Sequence, residues 1–339
     1  MIWLTWRQHR AEAGVGAALL AAAVVALMVI GQGAHHLARQ LGMPGCAQSG
    51  GGCGSALEEL HRHYHWLPPV TGSLIAVPLL VGMFWAAPLV SREYESGTHR
   101  LVWTQSISRR RWISTKVAII AAVVGVVAAV LGLVATWALD PLAPAFGTRF
   151  NSTWYDITGV VPVACMLFAF AAGVAASALT RRTIPAMATT LAVYAAARIP
   201  VHFFRRNLWP TVHHTVTYPL SSLLRDPDGD HPLASGLSPN DWILSTVRLG
   251  PTGHSIVGLN NRDILINYCP SLPPRGEIGA AAIQACQAKL NGLNASEVSR
   301  YHPASQFWSI QLVESLLFVA IAAVLAATAI LAVVRRRSI

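Results

Sequence analysis

The sequence predicts an all-α membrane protein with six transmembrane helices and a small α+β extracytoplasmic module between the fifth and sixth helices. Hydrophobic residues make up 53% of the 339 residues and charged residues only 12%, about half the charged share of soluble proteins. Six apolar stretches approach the ~20 residues with which a helix crosses a bilayer. The longest segment outside these stretches, residues 205–308, lies between the last two. Together these features exclude an ordinary soluble domain.

The first apolar stretch is too long for the core of a signal peptide, and no small-residue cleavage pattern follows it, so we expect a retained span. The third stretch is nearly free of polar side chains. The fifth is the weakest, since it contains Arg198 and two prolines. We expect three parts: 1–204 with an interfacial helix and five spans, the module 205–308, and 309–339 with the sixth span and a basic tail. The predicted spans are 13–31, 70–90, 117–139, 158–179, 184–204 and 309–334.

The first ten residues read MIWLTWRQHR. As a helix they place Trp3 and Trp6 on one side beside Arg7, a combination typical of the lipid headgroup layer. We therefore expect a short interfacial helix that turns into the first span. The alternative is an ordinary basic flank without a defined helix.

Basic residues indicate the orientation. Six spans put both termini on one side, and the segments of that side hold 13 of the 25 Lys and Arg residues in 47 positions. The opposite side holds 11 in about 160 positions. Because basic residues near span ends stay in the cytoplasm, we expect a multi-pass cell-membrane protein with both termini cytoplasmic. The net charge of +10 then indicates contact with anionic lipids rather than with nucleic acid.

The cysteines agree with this topology. Four of the five fall in predicted outside loops, where an oxidising environment permits disulfides. We expect the pairs Cys46–Cys53 and Cys269–Cys286. Neither pair has the C-x-x-C spacing typical of a metal site, and Cys165 lies within the fourth span.

A loop as long as 205–308 without internal structure is uncommon, so this segment should fold. Within it, WILSTVRLG (242–250) and DILINYC (263–269) resemble strands. GEIGAAAIQACQAKLNGL (276–293) resembles a helix. In the first outside loop, SALEELHRHYHW (55–66) also predicts a short helix.

The chain has no P-loop, so no ATP chemistry or other catalytic residues are expected on it. A Walker A motif needs a lysine that follows a glycine, whereas the two lysines, Lys116 and Lys289, follow Thr115 and Ala288. The predicted cytoplasmic segments are also too short for a nucleotide-binding domain. The loop 91–116 instead combines carboxylates, an apolar patch and an arginine cluster. This pattern is typical of an amphipathic helix offered to a cytoplasmic partner, and a solvated loop that binds lipid through its arginines is the alternative.

Three segments carry a family resemblance: WLTWRQHR at the start, REYESGTHRLVWTQSISRRRW after the second span, and YHPASQFWSIQLVES before the last. With the order of six spans, they resemble the permease subunit of type-2 ATP-binding-cassette (ABC) exporters, actinobacterial type. The resemblance implies a cytoplasmic ABC ATPase partner that binds ATP and Mg²⁺, a second permease copy or close relative, and no cofactor on this chain. It also implies export of an amphipathic substrate such as an antibiotic, peptide or lipid. Residues implied to contact the ATPase are Glu93, Glu95, Gly97, Thr98 and Trp103.

Two ionisable residues lie within predicted spans near their outer ends. Arg198 of the fifth and Glu314 of the sixth both lie about 8–9 Å deep. Membrane-buried charges tend to pair and face the bundle interior, so we hypothesise an Arg198–Glu314 pair that closes an outer gate. The alternative is that each side chain reaches the surface separately.

Other candidate sites depend on weaker patterns. His61, His63 and His65 would share one face of a strand and could then chelate a metal, but no carboxylate is spaced to complete the site. We therefore expect no metal. A substrate path in spans 2 and 5 is predicted as readily as lipid-facing bulk, from Met83, Phe84, Trp85, Met187 and Tyr194.

Two other classes of function remain as alternatives to an exporter subunit. One is a membrane-anchored sensor or structural subunit whose module 205–308 binds a ligand. It would have no ATPase partner, and it would tolerate changes at Glu93 or Glu95. The other is a membrane-embedded enzyme, for which the sequence has no convincing cluster of His, Asp and Glu at a common depth.

Overall fold

A computed structural model describes residues 2–43, 53–95, 108–225, 237–238, 240–256, 261–273 and 276–335. Within these ranges, six helices are long and apolar enough to cross a membrane, which confirms the predicted number. We call them spans 1 to 6. Their bounds are Leu20–Gln40, Leu67–Glu95, Arg110–Phe146, Val161–Thr180, Thr183–Asn207 and Ala304–Arg335.

Span 1 is the later part of one helix, Ile2–Gln40. A single helix therefore covers both the predicted interfacial segment and the predicted span 13–31. The predicted short helix of the first loop is present as Gly54–Tyr64. It packs with the end of span 1 around Leu60 and Tyr64.

Span 2 changes helical type along its length. It begins as the α-helix Leu67–Ser73, passes through the 3₁₀ turn Leu74–Ala76 and the α-helical turn Val77–Val81, and then forms a π-helix at Gly82–Ala86. A final α-helix, Pro88–Glu95, ends the span. Isolated π turns within helices often mark functional sites.

Span 3 begins earlier than the sequence predicted. Its helix runs Arg109–Leu139, followed by the 3₁₀ segment Asp140–Phe146, so two turns assigned to the cytoplasmic loop are helical. The hydroxyl of Ser108 accepts a hydrogen bond from the Arg111 N–H at 3.3 Å. This N-cap satisfies one of the donors that a helix start leaves open.

Span 4, the helix Val161–Thr180, is the central element. In its most apolar stretch of 18 residues, 78% of the residues are buried, against 17–39% in the corresponding stretches of the other spans. It is rich in alanine, which lets spans 2, 3, 5 and 6 approach it closely. Gly82 of the π-helix and Gly173 of span 4 meet at such an approach. A Cβ on Gly82 would lie 2.6 Å from the carbonyl oxygen of Ala169.

Spans 5 and 6 end the bundle. Span 5 is the helix Thr183–Phe204, continued by the 3₁₀ turn Arg205–Asn207. Span 6 is the helix Phe307–Arg335 after the short turn Ala304–Gln306. Another short helix, Ser152–Tyr155, precedes span 4.

The chain divides into two compact units, the helical bundle and the module Trp209–Gln306. The module has a three-stranded antiparallel sheet of order β1-β3-β2, with β1 at Val212–Pro219, β2 at Trp242–Leu249 and β3 at Asn294–His302. Its remaining elements are the 3₁₀ segment Leu220–Arg225 and the helices Asn261–Tyr268 and Ala280–Leu290.

The module has its own core, which includes Leu220, Ile264 and Leu290. Cys269 and Cys286 form a disulfide within that core, which confirms the predicted pair. Cys53 is also disulfide-bonded, while Cys46 lies outside the described residues. Cys165 is a buried free thiol.

One secondary-structure prediction in the module was wrong. The segment 263–269, predicted as a strand, belongs to the helix Asn261–Tyr268. Ile264 and Leu265 are both fully buried, which a strand packed on one face does not allow for adjacent residues. Asp263 in the first turn also suits a helix start.

Candidate functional site

Four charged side chains meet in the interior of the bundle, and we call them the four-charge cluster: Asp156, Arg198, Arg205 and Glu314. Two come from span 5, one from span 6 and one from the short link before span 4. The Arg198 Nη1 donates to Glu314 Oε1 at 2.5 Å, and its Nη2 lies 2.5 Å from Asp156 Oδ1. The structure thus brings the predicted Arg198–Glu314 pair into direct contact.

Arg205 completes the cluster. Its Nε donates to Glu314 Oε2 at 2.9 Å, and its Nη2 donates to Glu314 Oε1 at 3.2 Å and to Asp156 Oδ1. Its guanidinium also lies 3.9 Å from the ring centroid of Tyr155, a cation–π contact. Each carboxylate is therefore bonded by both guanidiniums, a geometry that suits arginine because its donors form a fixed fork.

The cluster is buried but electrically balanced. The Glu314 side chain is fully buried, and those of Arg205 and Asp156 are 3% and 4% exposed. Burial alone opposes ionisation of Asp156, but a hydrogen bond from His202 and the charges of Arg205 and Arg198 lower its pKa to about 2. Two positive and two negative groups leave no net charge. The geometry therefore favours a closure or a brace between spans over a site for an additional ion.

A neutral side chain extends this contact toward span 4. Gln311, one helical turn before Glu314 and fully buried, accepts from the Val160 N–H at 2.8 Å. Its amide donates to the carbonyls of Tyr155 and Thr158 at 3.2 and 3.1 Å. It thereby satisfies backbone groups at the start of span 4 that the helix itself leaves open.

The sequence did not indicate Asp156, Arg205 or Gln311. Asp156 and Arg205 lie just beyond the predicted spans 158–179 and 184–204, where charges are ordinary. A signal was nevertheless present, because Arg205 follows Arg198 by seven residues, which is two helical turns and so the same face. Gln311 precedes Glu314 by three residues, which also places both on one face.

The other candidate site is the end of span 2, where the sequence predicted contact with an ATPase. Glu95 accepts two hydrogen bonds from Thr183, the first residue of the span 5 helix: Oε1 from the N–H and Oε2 from the hydroxyl, each at 2.9 Å. Glu93 pairs with Lys116 of span 3, with Nζ 2.5 Å from Oε1. Both carboxylates thus have partners inside the bundle, and contact with an ATPase stays a prediction.

A serine one turn before Glu95 strengthens this junction. The backbone N–H of Ser91 donates to the hydroxyl of Ser177 at 2.7 Å, and the two hydroxyls of Ser91 and Thr183 are 3.0 Å apart. Ser91 and Ser177 are fully buried. Three more residues of the predicted ATPase contact, Gly97, Thr98 and Trp103, lie outside the described residues.

The five residues predicted to line a substrate path differ in exposure. Phe84 and Trp85 are 56% and 49% exposed, whereas Tyr194 is buried and stacks on Phe168 with ring centroids 5.6 Å apart. Met83 and Met187 are half-buried. Their role in a path stays a prediction.

The histidines of the first loop do not have the geometry that a chelate would need. His61 and His63 lie on the helix Gly54–Tyr64, where residues two apart diverge. His61 contacts the carbonyl of Ala145 at 3.2 Å. Over the described ranges, no three His, Cys, Asp or Glu residues are grouped so that they could hold a metal ion.

Six apolar helices with a buried charge network between them indicate a multi-pass membrane protein. The profile of the ABC-2 membrane transporter related family matches residues 17–206, more than half of the chain, and the chain belongs to that family. Membership supports a permease subunit of an ABC transporter and implies association with an ATPase subunit. Comparisons with curated proteins and with solved structures find no match.

Proposed function

We propose that the chain is the transmembrane permease subunit of an ATP-driven exporter, coupled to ATP hydrolysis on a partner ATPase. The observation that carries the proposal is the family match over residues 17–206, which includes the loop 91–116 predicted to contact the ATPase, spans 1 to 4 and nearly all of span 5. The junction of span 2 with spans 3, 4 and 5 adds support, since a displacement applied beyond Glu95 would reach several helices at once.

In this proposal both termini are cytoplasmic, which places Glu95 at the cytoplasmic end of the bundle and the four-charge cluster near the outer end. The cluster then acts as the outer closure, because its bonds tie spans 5 and 6 to the start of span 4. Exposed apolar side chains on span 5, such as Ile184 and Phe203, face lipid or a second permease subunit. The substrate is amphipathic, and it leaves on the side of the module.

The test is purification of the tagged chain from its native membrane in a mild detergent. We expect a P-loop ATPase at a stoichiometric ratio and vanadate-sensitive ATP hydrolysis after reconstitution into liposomes. Substitution of the Walker A lysine of that partner, the control, should abolish hydrolysis without dissociating the complex. A chain that purifies without any ATPase would instead favour the sensor or structural subunit.

A further inference from the structure

The carboxylate of Glu95 caps a helix to which it does not belong. The span 5 helix begins at Thr183, and its N-cap residue, Arg182, makes no side-chain capping bond. The first N–H groups of a helix need an acceptor from elsewhere, and a negative charge is favoured at that end. Glu95 supplies both, because it accepts from the N–H and from the hydroxyl of Thr183.

The buried hydroxyls beside Glu95 make this contact a joint rather than a single bond. We call Ser91, Glu95, Ser177 and Thr183 the span 2–span 5 joint. Glu95 itself is exposed, so water competes for its bonds. Ser91 and Ser177, however, are fully buried, and their bond at 2.7 Å fixes the last turns of span 2 against the end of span 4.

The connection between spans 4 and 5 is too short to absorb a movement of this joint. The span 4 helix ends at Thr180 and the span 5 helix begins at Thr183, so two residues separate them. Arg181, one of the two, has a φ of 56°, in the left-handed region that few residues other than glycine adopt. A displacement of Glu95 must therefore either carry the start of span 5 with it or break the two bonds to Thr183.

Span 3 is attached to span 2 by separate contacts. Lys116 Nζ lies 2.5 Å from Glu93 Oε1 and donates to the carbonyl of Leu89 at 3.2 Å. Glu93 and Glu95 are two residues apart and so point to different neighbours. The end of span 2 thus contacts two other helices through separate side chains: span 3 through Glu93 and span 5 through Glu95.

We propose that Glu95 is a positioning residue that transmits ATPase-driven movement of span 2 to span 5 by capping the span 5 helix at Thr183. The inference depends on the proposed function, because the movement comes from the ATPase. It assigns Glu95 to a contact within the permease, in place of the contact with the ATPase that the family resemblance implies.

The test uses the intact permease–ATPase complex with single fluorophores on exposed positions of two spans. Leu191→Cys reports span 5 and Val126→Cys reports span 3, since both side chains are exposed. Cys165 is buried and should not react. The measurement is the fluorescence change when ATP and vanadate are added. In the otherwise wild-type complex we expect a change at both positions.

With Glu95→Ala we expect the response at position 191 to be lost, the response at position 126 to persist, and the ATPase to co-purify. Lys116→Met should give the reverse, with loss at position 126 alone. Thr183→Val, which removes the hydroxyl bond but keeps the N–H bond, should weaken the response at position 191, whereas Thr183→Ser, which keeps the hydroxyl, should respond as wild type. Glu59→Gln is the matched control, since Glu59 pairs within its own helix with Arg62 at 2.9 Å.

Two results would overturn the inference and leave the proposed function intact. One is an unchanged response at position 191 in Glu95→Ala and in Thr183→Val. The other is loss of the ATPase from the Glu95→Ala complex, which would make Glu95 an ATPase contact. A wild-type complex without an ATPase, or without any response to ATP, would instead refute the proposed function and the inference together. Thr183→Val also provides the test if Glu95→Ala does not fold.

Discussion

Substitution of Arg205 by alanine tests whether the four-charge cluster holds the bundle together. Arg205 donates to both carboxylates, and its side chain is 3% exposed, so water cannot replace it without opening the packing. After its removal, Arg198 is the one arginine of the cluster that still pairs with Asp156 and Glu314, so two buried carboxylates share a single guanidinium. Removal of one partner from a buried ion pair costs about 3–5 kcal/mol.

At roughly 2–4 °C per kcal/mol, the apparent Tm of the Arg205→Ala protein should fall by on the order of 10 °C. The assay is thermal unfolding of the detergent-purified protein, followed by intrinsic tryptophan fluorescence. Arg206→Ala is the matched control, because that side chain is the adjacent arginine and is exposed. Its substitution should change the free energy of unfolding by about 0.5 kcal/mol or less.

A second variant separates charge balance from lost packing. Arg205→Ala combined with Asp156→Asn removes one charge of each sign, so it should recover part of the lost stability. Equal Tm values for Arg205→Ala and Arg206→Ala, within about 1 °C, would refute the reasoning. Lack of any recovery in the double variant would show that the packing of Arg205 on Tyr155, at 3.9 Å, matters more than its charge.

Three further predictions concern other contacts. The pKa of Asp156 is lowered from 3.8 to about 2, so its ionised form stabilises the fold above about pH 4, and this contribution is lost as the pH falls through 2. Between pH 4 and 2 the Tm of the wild type should therefore fall by more than the Tm of Asp156→Asn. Gly82→Ala should cost about 1–3 kcal/mol, because the new Cβ would lie 2.6 Å from a carbonyl oxygen. Gly125→Ala, with its nearest neighbour at 3.6 Å, should be neutral or stabilising in the same thermal assay. The Cys269→Ser/Cys286→Ser protein, which loses a crosslink over 17 residues, should lose about 3 kcal/mol, and a reducing agent should then shift its Tm by less than in the wild type, since the disulfide of Cys53 is still present.

The spans could be predicted because length and hydrophobicity are local properties of a sequence. The same argument explains why Arg198 and Glu314 were recognised, since each is an ionisable residue inside an apolar stretch, where it needs a partner. Asp156 and Arg205 could not be recognised in this way. Each lies a few residues beyond an apolar stretch, and only the packing of spans 4, 5 and 6 brings them to the buried side.

The module shows a different limit of sequence reasoning. β2 and the helix Ala280–Leu290 were predicted from their residue preferences, but β3 was not. Its buried positions include Glu297 and Ser299, so the strand has no alternation of apolar and polar residues. Glu297 is placed by Arg248, whose Nε donates to it at 3.3 Å across the β2–β3 pair. A buried polar face of this kind depends on a partner strand about 50 residues away in the sequence.

The two candidate sites lie at opposite ends of span 5, and a proline lies within the part of the helix that carries the four-charge cluster. Pro200 lies inside the span 5 helix; proline removes a backbone donor and clashes with the carbonyl four residues earlier, so it makes a helix easier to bend. Arg198 and Arg205 lie on either side of Pro200, and both bind the same two carboxylates. The four-charge cluster therefore links the parts of the helix before and after Pro200, where the helix bends most easily. In the proposed mechanism, a movement at Thr183 would reach Arg198 about 22 Å along the helix before it reaches Pro200, so it would act on the cluster directly, and bending at Pro200 would require bonds of the cluster to break.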